Sequence, residues 1–208
     1  MSPFLNIHTH TPLGEKEETV PSFGVHPWFI GENLAAQLAQ VEESVEQALA
    51  AGRRSEVAAP VSPPPLFIGE CGLDRICTTP YDLQLAAFEA QILLSETHRL
   101  PLVLHCVHAL DDVLRLKRGT VQPWIFHGFR GKPQQLRQLL SHGFFVSFGF
   151  RHQAESLRLC PAERMFLETD EERHPITLLY DTAACLRGTT SAALNVQLHE
   201  NLATLFAR

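Results

Sequence analysis

Seven short apolar runs punctuate this chain, and six of them close on a histidine or an acid. They lie at Phe4–His8, Ser22–His26, Leu66–Glu70, Leu102–His105, Trp124–His127, Phe144–Ser147 and Met165–Glu168. Between them fall segments with helix-forming composition or spacing, at about 32–52, 80–98, 109–117, 132–142, 152–158 and 194–207. Asn33–Ala51 is rich in Ala, Leu, Gln and Glu, and Leu85, Phe88 and Ile92 are spaced to form one buried helical stripe. Strands alternating with helices imply βα units and a parallel sheet.

Such units assemble either into a barrel or into an open doubly wound sheet. A nucleotide-binding open sheet carries a glycine-rich turn after its first strand. Here the first strand runs into His8-Thr9-His10, and neither a G-x-G-x-x-G nor a P-loop pattern is present. In a barrel, chemistry collects at the C-terminal ends of the strands. The expectation is therefore an α/β fold: a TIM-like barrel, incomplete, with about seven parallel strands and one domain over residues 1–208. Arg53–Pro65, with four prolines, reads as a surface loop.

Residues two apart on a strand share a face, so His8 and His10 can aim both imidazoles at one point. The other strand ends add His26, Glu70, His105 and His127, and Asp170 follows Leu167-Glu168-Thr169. In a closed barrel these ends form a ring of imidazoles and carboxylates. That mixture suits one or two divalent ions: zinc, manganese, magnesium or iron. Two ions about 3.5–4 Å apart could share Glu70 as a bridge, and a metal-bound water would become acidic enough to attack near neutral pH. Asp170 is placed to take its proton. His108, three residues beyond His105, is a candidate substrate contact. His98 and His142 lie at helix ends, and His152, His174 and His199 read as surface residues. Cys71 and Cys106 neighbour the proposed ligands, where packing and thiol ligation are both open.

The bulk properties narrow the partners. Of 208 residues, 45% are hydrophobic and 19% charged, which suits a folded protein with a substantial core. The net charge of −6, without a basic tail, argues against sequence-independent binding to long duplexes. Five cysteines, with no CxxC pair, favour free thiols in a reducing compartment. With neither a secretory signal nor a membrane-spanning run in view, a cytoplasmic location is expected.

Taken together, the motifs resemble the TatD family of metal-dependent hydrolases. The matching pieces are His8-Thr9-His10, Gly24-Val25-His26-Pro27, Gly69-Glu70-Cys71-Gly72-Leu73-Asp74, Leu100-Pro101-Leu102-Val103-Leu104-His105, His127-Gly128-Phe129-Arg130-Gly131, Leu167-Glu168-Thr169-Asp170 and the closing helix through Asn201–Phe206. The resemblance implies one metal held by His8, His10, Glu70 and Asp170, and a second by Glu70, His105 and His127. Glu70 and Asp170 then carry the catalysis, with His26, His108 and Arg130 facing the substrate. It also implies phosphodiester hydrolysis of DNA ends or small phosphodiesters, of the 3'-5' exonuclease type. The alternatives are a hydrolase of a small amide, ester or lactone, or a metal-binding interaction protein that has lost catalysis.

Three departures from the family pattern stand out. Only about fifteen residues separate His10 from His26, where the family has a full βα unit, so a gap is expected after the first strand. Cys106-Val107-His108-Ala109 replaces a segment that carries an arginine. Glu171-Glu172 follows Asp170 where Ser-Pro is usual, placing two further carboxylates where a polyanion would approach.

Overall fold

The computed structural model describes residues 2–13, 16–54 and 65–207. These fall into two compact units, one formed by Met1–Val20 with Pro123–Arg208 and the other by Pro21–Gln122.

In the first unit, β1 (Phe4–Asn6) pairs in parallel with β2 (Glu17–Thr19), Phe4 opposite Glu17 and Asn6 opposite Thr19. The gap expected after the first strand is thus filled by a strand. Eight strand segments, rather than seven, occur among the described residues. Glu17-Glu18-Thr19 carries no apolar alternation, and its side chains are half-buried or exposed. Pairing with β1 defines it, not its own composition.

In the second unit, β3 (Ser22–Phe23) pairs with β4 (Phe67–Asp74), which pairs in turn with β5 (Leu102–Val107), all in parallel. The β4–β5 register slips between Ile68 and Cys71. Glu70 lies inside that irregularity, so β4 does not end at Glu70 as its sequence suggested but runs on to Asp74. A bulge of this kind re-aims a side chain in mid-strand. Gly72 makes the close approach possible: at φ +144°, a Cβ there would come within 2.0 Å of the His105 carbonyl oxygen. Two helices, α1 (Leu34–Arg54) and α2 (Tyr81–His98), and the short α3 (Leu110–Lys117) complete this unit. Residues 55–64 of the expected proline-rich loop lie outside the described residues.

The α2 stripe differs from its expected form. Phe88 is buried as anticipated, but Leu85 and Ile92 are only half-buried, and the fully buried positions include Gln84, Gln91 and Ser95. Each glutamine clasps both backbone groups of one residue elsewhere. Gln91 accepts from Val25 N–H at 2.7 Å and donates to the Val25 carbonyl at 3.1 Å. Gln84 does the same for Asp74, at 2.8 and 3.0 Å. Buried amides are retained because each replaces water for a strand end that has run out of partners.

The first unit continues with β6 (Trp124–Phe126), α4 (Pro133–Ser141), β7 (Phe145–Phe148), α5 (Ala154–Leu159) and β8 (Met165–Leu167). Strands β6, β7 and β8 pair successively in parallel. Two helices close the chain. One is α6 (Ile176–Arg187), absent from the sequence reading, and the other is α7 (Ser191–Phe206). From α7, Asn195 accepts from Leu5 N–H at 3.0 Å and donates to the Pro3 carbonyl at 2.9 Å, which ties β1 down.

Candidate active site

Beyond β1 and β8 the two chains continue side by side. Ile7 N–H donates to the Leu167 carbonyl, Asp170 N–H to that of His8, and His10 N–H to that of Asp170, at 3.0–3.1 Å. Asn6, fully buried, fixes the register by accepting from Thr169 N–H at 3.0 Å and donating to Thr169 Oγ1 at 2.8 Å and to Glu17. This zipper delivers His8, His10 and Asp170 to one place: each offers a ligand atom within 4.8 Å of the others. Asp170 Oδ1 stands 3.9 Å from His8 Nε2 and 3.6 Å from His10 Nε2. Asp170 adopts φ +54°, a left-handed conformation that costs an L-residue about 1–2 kcal/mol and that aspartate tolerates better than most. The flanking ladder bonds hold it there.

From the end of β6, His127 brings its ring within 4.9 Å of the His8 ring, centroid to centroid. Its Nδ1 meets Glu168 Oε1 at 3.2 Å, so Nε2 is the nitrogen a cation would take. Glu168 is fully buried and also accepts from Gly128 N–H at 2.6 Å. Burial pushes its carboxyl up. The charge and hydrogen bond of His127, with smaller help from His8 and Ser147, outweigh burial and leave it below the usual carboxylate range. A buried carboxylate behind an imidazole fixes the tautomer and strengthens the ligating nitrogen. Sequence reasoning passed over Glu168, although its place in Leu-Glu-Thr-Asp170 was the available signal.

In the second unit, Glu70, His105 and His26 converge, one ligand atom from each lying within 4.8 Å of the others. His105 Nδ1 meets Glu70 Oε1 at 2.7 Å and His105 Nε2 meets Asp74 Oδ2 at 3.1 Å. Asp74, fully buried, also accepts from the Trp28 indole N–H at 2.6 Å and from Ile76 N–H at 2.9 Å. Burial raises its carboxyl, but the bonds from Trp28, Ile76 and His105 together outweigh that and lower it. His26 Nδ1 accepts from Trp28 N–H at 3.1 Å, so its neutral ring carries the proton on Nε2, 3.4 Å from Glu70. In that tautomer the Nε2 N–H is a donor that an anionic oxygen can accept from.

The remaining expected residues are placed as follows. His108 is exposed just beyond β5 at φ +52°. Arg130 is exposed and lines a pocket of the first unit together with Asp170, Glu171 and Glu172. Glu172 pairs with Arg151 at 3.0 Å, which offsets one of the two carboxylates that would repel a polyanion. Burial, then the Glu70 charge, pushes the Cys71 thiol well up, and burial pushes Cys106 up to about 12. All five cysteines are free.

Imidazoles and carboxylates grouped in this way within each unit, with a buried acid behind His127, have the chemistry to hold divalent metal. The TatD-related DNase family model matches residues 6–206, and the chain belongs to that family. Among its relatives, the chain is 31% identical over 179 residues to the 3'-5' ssDNA/RNA exonuclease TatD of Klebsiella pneumoniae (strain 342), covering 69% of this chain and 66% of that protein. It is 32% identical over 170 residues to the Homo sapiens 3'-5' RNA nuclease TATDN2, covering 74% of this chain and 20% of that one. The chain thus spans less than two thirds of either relative's length. A solved TatD family hydrolase from Entamoeba histolytica superposes with a TM-score of 0.70 at 16% identity, over 92% of this chain and 76% of that one. The fold class is therefore the expected α/β, TIM-like one.

Proposed function

We propose that the chain is a divalent-metal-dependent nuclease that hydrolyses phosphodiesters at the 3' ends of single-stranded nucleic acid, with DNA ends or small phosphodiesters as substrates. Its metal ligands are His8, His10, Glu70, His105, His127 and Asp170, holding one or two ions of zinc, manganese, magnesium or iron. The observation that carries this reading is His127 locked by buried Glu168 beside the His8, His10 and Asp170 triad. Relatives named as 3'-5' nucleases support the reaction class.

When bound, such an ion supplies Lewis acidity toward the phosphoryl oxygen and lowers the pKa of water. The protein's own groups do the rest. Asp170, partly exposed and aimed by its left-handed backbone, takes the proton from the attacking water. Arg130 meets the phosphate at the pocket it lines with Asp170. In the second unit, His26, through its Nε2 proton, is the contact to a phosphate oxygen, and His108 is a further substrate contact. The free thiols agree with a reducing, cytoplasmic setting, and among the described residues no helix is long and apolar enough to cross a membrane.

The test is elemental analysis of the purified protein, followed by incubation with 3'-end-labelled single-stranded DNA, a chromogenic phosphodiester and a panel of lactones. Asp170→Asn is expected to lower phosphodiester turnover about 10²–10⁴-fold. Turnover that survives this change removes Asp170 as the base. Lactone turnover without phosphodiester cleavage favours the small-ester alternative, and bound metal without any turnover favours the interaction protein.

A further inference from the structure

The loop after β3 places two large aromatic side chains in solvent immediately beside His26. Trp28 is 51% exposed and Phe29 is 70% exposed, while Pro27 between them and His26 is buried. The His26 ring lies 5.1 Å from that of Trp28 and 5.5 Å from that of Phe29. Trp28 does not dangle. Its backbone N–H is held by His26 Nδ1, and its indole N–H is held by fully buried Asp74 at 2.6 Å. Asp74 is itself fixed by the Gln84 clasp, and its carboxylate also meets Ile76 N–H, Cys77 N–H and His105. The polar edge of the indole is therefore spent inward, and the ring's apolar surface is presented outward in a fixed orientation. Exposed aromatic surface on a rigid mount carries little conformational cost when a flat partner stacks on it.

We propose that Trp28, with Phe29, is a stacking platform for an unpaired nucleobase of the strand being cleaved. This rests on the nuclease reading above and names the feature of the substrate that the site grips. Stacking suits this surface: the chain is acidic overall, with a net charge of −6, which works against gripping a strand through many phosphate contacts. A base in a duplex has its faces covered, whereas one at a single-stranded end offers them to an aromatic ring, with little regard to sequence. The spacing from His26 to both rings places the platform within one nucleotide's reach of the group assigned to phosphate.

The protein holds only two tryptophans, and Trp124 is fully buried, so Trp28 reports on its own stacking. The full chain is titrated with a single-stranded oligonucleotide protected from turnover by 3' phosphorothioate linkages. The matched control is an oligonucleotide of equal length whose terminal nucleotides are abasic. Tryptophan fluorescence is expected to be quenched by the first and little changed by the second. Phe29→Ala, which removes no side-chain hydrogen bond, is expected to weaken binding of the base-bearing strand about fivefold or more. Trp28→Ala should weaken it further, and Trp28→Phe should recover most of the loss. Equal quenching by both strands, or none by the base-bearing one, overturns the platform. Base-dependent quenching in a protein that cleaves no phosphodiester upholds the platform and removes the nuclease. Cleavage without base-dependent quenching does the reverse.

Discussion

The two compact units aim their histidines by different means. In the first unit, His8, His10 and Asp170 sit on a backbone ladder that extends past the ends of β1 and β8, through the bonds Ile7 to Leu167, Asp170 to His8 and His10 to Asp170. In the second unit, no such ladder runs along the loop bearing His26 among the described residues. Gln91 reaches from α2 to clasp Val25 beside it, and Gln84 clasps Asp74, which backs His105. A ladder depends on backbone groups that every residue carries, whereas an amide clasp depends on one side chain at one position. The second site's scaffold therefore leans more on single side chains, with Asn6 the one comparable clamp described for the first.

The largest expected effect breaks this contrast most directly. Gln91→Met keeps the bulk of the side chain but strands the buried N–H and carbonyl of Val25. It should cost about 2–5 kcal/mol in a denaturant melt, since each unpaired buried group costs about 1–3 kcal/mol. A loss below 1 kcal/mol would mean that the clasp does not hold the His26 loop.

A smaller effect sharpens the other side. Glu168→Gln keeps the shape behind His127 but removes the buried charge. Metal affinity, read by competition with a chromophoric chelator, should fall about 10- to 100-fold while the fold survives. Unchanged affinity would leave Glu168 a purely structural residue.

The smallest effect lies away from both sites. Asp112 accepts from Tyr81 Oη at 2.6 Å and from Arg75 at 2.6 Å. The Tyr81 bond first, then the Arg75 and Arg115 bonds, outweigh burial and hold its carboxyl below the usual range. A lowered folded-state pKa stabilises the fold above the unfolded value of about 3.9, and that contribution is lost as pH falls further. Asp112→Asn should therefore cost about 1 kcal/mol at neutral pH, and the cost should shrink as pH falls below the unfolded value of about 3.9 and the native carboxyl takes up its proton. Equal destabilisation at neutral and acid pH would show that the loss is one of packing.

Much of this architecture was legible in the order of residues, because hydrophobic alternation and helix spacing are local properties. The apolar runs ending in His8, His105 and His127 found their strands, and α2 appeared within a residue of its expected span. The misses have physical reasons. Strand β2 is polar and short, and only β1 makes it a strand. Helix α6 begins directly after Pro175, in a segment whose apolar residues had no neighbouring strand signal to bracket them. Glu70 was placed at a strand end, yet β4 runs on to Asp74, and Gly69 and Gly72 are the reason. They allow a bulge and a close strand approach.

The sequence by itself determined which side chains could do metal chemistry, and that they recur at the ends of apolar runs, since both follow from residue type and short-range spacing. Only the tertiary structure decided which nitrogen each histidine presents and which carboxylate stands behind it. It also decided that two polar glutamines belong in the α2 core. Those outcomes depend on partners distant along the chain, such as Glu168 for His127, Asp74 for His105 and Gln91 for Val25. Hydrogen bonds of that kind are selected by proximity in space, which no local pattern records.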